Sequence, residues 1–223
     1  MDGRMPANVA AVSAASPSGW NASAVIVGVD EAGRGPLAGP VVAGAVVLGL
    51  QPPAGLADSK KLSARRRGAL ETAIKQHCLW AVGVVEAEEI DRLNILGATM
   101  LAMTLAVDAL VERLRGTPIE IVLIDGNMTP ASRRSEWRWP ARAIVRGDAS
   151  EPCISAASII AKEHRDRLMH VAAELHPHYG WERNAGYGTA EHMAALRLHG
   201  ATPLHRRSFA PVAAAVMADN ERG

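Results

Sequence analysis

The chain has little with which to cross-link itself or to hold a metal through sulfur. Its 223 residues include two cysteines, Cys78 and Cys153, with neither the CxxC spacing of a thiolate site nor the dense, even pattern of a disulfide framework. Both read as small core residues, which fits a reducing cytoplasm. No apolar run reaches the length of a membrane span, and residues 1–22 lack the basic start and continuous hydrophobic block of a secretion signal. Net charge is only +1, so the total demands no polyanionic partner. No internal repeat, P-loop, Ser-His-Asp order or histidine metal motif is present, and Gly33 to Gly39 misses the dinucleotide-binding spacing.

At 48% hydrophobic the chain can build one substantial core. Residues 1–22, rich in Ala, Ser and Asn, read as a flexible extension, and residues 23–223 as one catalytic domain whose end, from about 176, is a helical extension. The basic residues are clumped, at Arg65-Arg66-Arg67, Arg133-Arg134 and Arg206-Arg207; such runs serve phosphate contacts or solvated helix faces equally well.

Residues 25–30 and 41–48 are β-branched and apolar around a Gly- and Pro-rich turn, so they predict a hairpin, with Gly44 marking a bulge. Ser63 is a good N-cap for a helix over 64–77, and 80–85 predicts a third strand. Leu93, Leu96, Met100, Met103, Val107, Leu110 and Leu114 step by three and four, which predicts a long helix with one buried stripe. Strands follow at 119–124 and 143–145, then a helix over 153–175 with small residues on its first turns, and a last helix over 190–199 between Thr189 and Gly200. Hairpin strands followed by strands alternating with helices predict a mixed α/β sheet flanked by helices.

Acids close these strands. Asp30 and Glu31 follow the first apolar run, Asp125 follows the fourth and Asp148 the fifth. Ligand sites in such sheets gather at strand ends, so the acids can converge although the chain separates them widely. Adjacent carboxylates repel one another and need a compensating cation; the hard, oxygen-seeking Mg²⁺ is the usual one. Gly33 and Gly35 allow close backbone approach to a ligand, and Arg34 offers a planar fork suited to phosphate. Two metal ions held by three or four carboxylates can supply both the nucleophilic water and charge relief for phosphodiester hydrolysis. The plainer alternative is that Asp30 and Glu31 cap a turn and face water.

Further motifs recur in order: Asp58-Ser59-Lys60-Lys61-Leu62-Ser63, Asn94-Ile95-Leu96, Ile124-Asp125-Gly126-Asn127, Gly147-Asp148, residues 154–162, Gly186-Tyr187-Gly188-Thr189, His199-Gly200-Ala201-Thr202 and His205-Arg206-Arg207-Ser208-Phe209. With Gly28 to Pro36, and over about residues 25–212, the chain resembles the ribonuclease HII family, metal-dependent endonucleases with the RNase H-like fold.

The resemblance implies that Asp30, Glu31, Asp125 and Asp148 are the catalytic, metal-binding carboxylates of a two-metal site for Mg²⁺ or Mn²⁺. It implies that Gly33-Arg34-Gly35 contacts the 2′-hydroxyl and adjoining phosphate of a ribonucleotide, that Tyr187 packs on the sugar at the RNA–DNA junction, and that Lys60 and Lys61 contact phosphate. The implied substrates are RNA–DNA hybrids and duplex DNA carrying single ribonucleotides, nicked 5′ of the ribonucleotide to leave a 3′-hydroxyl and a 5′-phosphate. A cytoplasmic monomer is expected, with no membrane partner. Asn184-Ala185 departs from the family, where a lysine commonly precedes Gly-Tyr; Arg183 is a candidate substitute. His192 and His205 are expected to be structural. Two alternatives stay open: another RNase H-like nuclease, such as one cutting branched DNA, and a binding module without turnover.

Overall fold

The computed structural model describes residues 23–56 and 62–220. A five-stranded sheet of order β3-β2-β1-β4-β5 forms its middle layer. Its strands are β1 (Val25–Ala32), β2 (Val41–Val47), β3 (Leu79–Val85), β4 (Ile119–Asp125) and β5 (Ala141–Ile144). β1, β2 and β3 pair antiparallel, whereas β1–β4 and β4–β5 are parallel, so the sheet is mixed as expected.

Alternate residues of each strand face opposite layers. Val25, Val27 and Val29 of β1, with Val122 and Ile124 of β4, join the core beneath α2 (Ala87–Val111). Val42 and Val46 face the other way, toward α1 (Ala64–His77) and α4 (Pro152–Leu175). A one-turn helix α3 (Gly147–Ser150) precedes α4; α5 (Trp181–Asn184), α6 (Ala190–His199) and α7 (Ala210–Asn220) complete the chain. Ser63 caps α1 and Thr189 caps α6, their hydroxyls accepting from Arg66 N at 3.4 Å and His192 N at 3.2 Å.

Four expectations change. Gly44 makes no bulge: it pairs regularly with Asp30 and Val82. A Cβ there would stand 2.4 Å from the Ala157 carbonyl oxygen, so the glycine serves close approach of α4 to the sheet. The long helix starts at Ala87 and kinks at Asn94, whose Oδ1 accepts from Leu96 N and Gly97 N at 3.0 and 3.1 Å and so caps its second half internally. By length and composition this helix, of mean hydropathy 1.7, would suffice for a membrane span; instead it packs into the sheet core. Finally, a further helix, α7, follows the one expected to be last, and β5 begins two residues early.

Candidate active site

The parallel register sets Val29 beside Ile124, which brings the next residues, Asp30 and Asp125, together on the α4 side of the sheet. Asp30 is not at the strand end; β1 continues to Ala32, and Asp30 is 3% exposed. Its Oδ1 accepts from Glu31 N at 2.7 Å, and the Ser158 hydroxyl of α4 also hydrogen-bonds it. Asp148 does not follow β5 directly but sits in α3, buried, where its N–H donates to Asp125 Oδ1 at 3.3 Å.

Burial, then the charges of Glu31 and Asp125, push the Asp30 carboxyl well above the usual carboxylate range. Glu31 is raised too, chiefly by burial, although Arg34 Nη1 at 3.4 Å opposes the shift. Asp30, Glu31 and Asp125 therefore meet, with the exposed Arg34 guanidinium against Glu31. The donor set is all oxygen and short of positive charge, which fits a hard divalent cation. Among the described residues, no three His, Cys, Asp or Glu side chains are already drawn to metal-ligand spacing.

These acids open into a cavity of about 420 Å³, whose lining also includes residues 33–35, Arg67, Ser158, Lys162 and Tyr187. Asp148 is absent from the lining and reaches the group through Asp125. A Cβ on Gly35 would lie 3.4 Å from the Tyr187 ring, so the glycine turn and the tyrosine meet in space across 150 residues of chain. Tyr187 is 49% exposed. Lys60 and Lys61 lie outside the described residues. Arg183 pairs with Glu182 and Glu191, which occupies the proposed substitute cation.

Sequence reasoning missed five polar residues here. Ser158 and Lys162 lie within a quoted motif but had no assigned task. Arg67 is fixed by Glu163 at 2.5 Å. Arg165 and Arg206 are buried under the glycine turn. Arg165 had a signal: it lies on the stripe Ala157, Ala161, Arg165 and Met169, where a buried face is due.

His192 and His205 are buried and structural in their contacts. Trp181 Nε1 donates to His192 Nε2 at 3.2 Å, so His192 carries its proton on Nδ1 and donates to the Tyr187 carbonyl at 2.9 Å. His205 Nδ1 accepts from Thr202 N at 3.0 Å, which leaves its Nε2–H to donate to His192 Nε2 at 3.1 Å. Burial lowers both, His205 to about 3, so both stay neutral near pH 7.

A family model described as Ribonuclease HII matches residues 27–212, most of the chain and all of this site. The chain belongs to the ribonuclease HII family. It is 75% identical over 190 residues to a ribonuclease HII of Novosphingobium aromaticivorans, covering 85% of this chain and 97% of that one. Ribonuclease H2 of Pyrococcus horikoshii OT3 matches with a TM-score of 0.67 at 25% identity, covering 88% of this chain and 99% of that one. Bst-RNase HIII, solved in complex with Mn²⁺, shares the fold at a TM-score of 0.69 and 21% identity, covering 90% and 71%. Membership makes the chain a hydrolase, an endoribonuclease acting on RNA–DNA hybrids.

Proposed function

We propose that this ribonuclease HII nicks duplex DNA on the 5′ side of a single embedded ribonucleotide, leaving a 3′-hydroxyl and a 5′-phosphate, besides cutting RNA in hybrids. The observation that carries this reading is the meeting of the carboxylates, the Gly33–Gly35 turn and the exposed Tyr187 ring in one cavity. A 2′-hydroxyl is what separates RNA from DNA, and an aromatic face packs well on a sugar that lacks one. Together they can read a junction.

Asp30, Glu31 and Asp125 would hold two Mg²⁺ or Mn²⁺ ions, with Asp148 completing the set through movement toward Asp125. Such ions supply an activated water and charge relief for the leaving oxygen. Arg67 and Lys162 bring positive charge to the cavity wall, where the scissile strand's phosphates would lie. Ser158 holds Asp30 in place by its hydroxyl.

The test incubates the purified chain with a duplex carrying one ribonucleotide, beside an all-DNA control, in Mg²⁺, Mn²⁺ or chelator. One metal-dependent nick 5′ of the ribonucleotide supports the reading. Cutting of plain DNA at the same rate refutes the junction sensor, and binding without any nick refutes turnover.

A further inference from the structure

Two buried guanidinium groups form no ion pair among the described residues, although Asp91 and Glu86 act on Arg206, and Asp166 on Arg165, from farther off. Arg165 of α4 is 1% exposed and Arg206, beyond α6, is 0% exposed. A charge taken out of water needs compensation from hydrogen-bond acceptors. Here the acceptors are backbone carbonyls of one segment, residues 33–40.

Arg206 Nη2 donates to the Gly33 and Pro40 oxygens at 2.6 and 3.1 Å. Its Nη1 donates to those of Arg34 and Pro36 at 3.0 and 2.8 Å, and its Nε to that of Gly39 at 2.9 Å. Its backbone N–H takes the Leu37 oxygen at 2.8 Å. Arg165 takes the Ala38 and Pro40 oxygens at 3.1 and 2.9 Å and, with its remaining Nη1, the Ala185 oxygen at 2.9 Å. Every carbonyl from Gly33 to Pro40 except that of Gly35 is therefore turned onto one of these two residues.

Direction follows from peptide geometry. All peptide bonds here are trans, so each C=O points opposite to the N–H of the next residue. With the Gly33 and Arg34 carbonyls drawn onto Arg206, the Arg34 and Gly35 N–H groups point the other way, on the cavity-lining stretch. Gly33 makes this possible: its φ is +99°, and a Cβ would come within 2.1 Å of Arg165 Nε. The Ala185 bond fixes the segment that carries Tyr187 to the same arginine.

We propose that Arg165 and Arg206 are positioning residues for substrate discrimination: Arg206 aims the Arg34 and Gly35 amides at a phosphate or 2′-hydroxyl oxygen, and Arg165, through Ala185, fixes the offset of Tyr187 from them. This deepens the junction reading above and rests on it. Neither arginine touches substrate. Their contribution is a preorganised row of donors that needs no rearrangement when the duplex binds.

The test uses Arg206→Lys and Arg165→Lys in the full chain, since lysine keeps the charge but offers three donors in place of a planar fork. Leu110→Ala, on the buried face of α2 and outside the cavity lining, controls for lost stability alone. Cleavage of a single-ribonucleotide duplex and of a continuous hybrid is measured well below each melting point.

In Arg206→Lys the preference for the single-ribonucleotide duplex should fall by about tenfold or more, the scale of one lost hydrogen bond to a charged group. Leu110→Ala should leave that preference unchanged. Arg165→Lys combined with Tyr187→Ala should lose little more preference than Tyr187→Ala alone, because both act through one ring. A wild-type preference preserved within twofold in both lysine variants, or full additivity with Tyr187→Ala, overturns the positioning role while leaving the junction reading intact. A wild-type enzyme without any preference overturns the reading itself, and this inference with it.

Discussion

Replacing Asp30 by asparagine should make the metal-free protein more stable and the enzyme inactive. Asp30 is buried against Glu31 and Asp125, and the amide keeps the oxygen that accepts from Glu31 N at 2.7 Å. Two like charges about 4 Å apart at an effective dielectric near 20 repel by roughly 4 kcal/mol, and wider spacing with solvent on the cavity side reduces this to about 1–2 kcal/mol. Proton uptake by Asp30 would trade that repulsion for a protonation cost, and asparagine avoids both. In a domain of this size the gain corresponds to about 3–6 °C in melting temperature. Thermal unfolding of wild type and Asp30→Asn in chelator measures it. Added Mg²⁺ should then raise the wild-type melting point by mass action and raise the variant's less. Cleavage should fall on the order of a thousandfold, the scale on which transition-state charge stabilisation is lost. A variant that melts below wild type in chelator, or that still cleaves at the wild-type rate, refutes the reasoning.

Tyr187→Ala should lower single-ribonucleotide cleavage far more than hybrid cleavage, with a near-native melting point because the ring is 49% exposed; Tyr187→Phe should restore it. Equal loss on both substrates would remove the tyrosine from junction sensing. Gly44→Ala forces a Cβ to 2.4 Å from a backbone carbonyl of α4 and should cost about 2–3 kcal/mol, read by denaturant titration; an unchanged midpoint would mean that the sheet–helix spacing is slack. Glu86 is raised by burial from 4.5 to about 7, only partly offset by Arg206. Its folded form holds the proton more tightly than the unfolded chain, so its contribution is complete below about pH 4.5 and is lost as pH rises through 7. Glu86→Gln should flatten the stability profile across that window, by up to about 3 kcal/mol, and an unaltered slope would show that the carboxyl is solvated.

The sheet was legible because its strands obey simple rules. β-branched runs bounded by Gly and Pro marked β1, β2 and β4, and the acid that ends β4 placed Asp125 at a parallel strand's C-terminal end. The position of Asp148 was harder, since a four-residue helix leaves no periodicity to detect. The kink at Asn94 hid the first turns of α2 for a similar reason: the apolar stripe restarts there with a new phase. Gly44 is a different failure. A glycine inside a strand signals either a bulge or close approach, and only the packing of α4 decides between them. Arg206 lies in irregular chain, where nothing local distinguishes a buried guanidinium from a solvated one.

The hydrogen bonds that hold residues 33–40 have a consequence for the order in which the molecule is made. Their donors lie far along the chain: the Arg206 bonds to this segment join residues 166 to 173 positions apart. Loop-closure entropy must be met before such contacts contribute, so they belong to the late steps of folding. On the ribosome, β1 to β5 and the carboxylates they carry can all emerge before Arg206 does. On the junction reading proposed above, the part of the cavity that distinguishes one sugar from another is thus set after the part that supplies charge, and a nascent chain acquires its selectivity only once Arg206 has emerged.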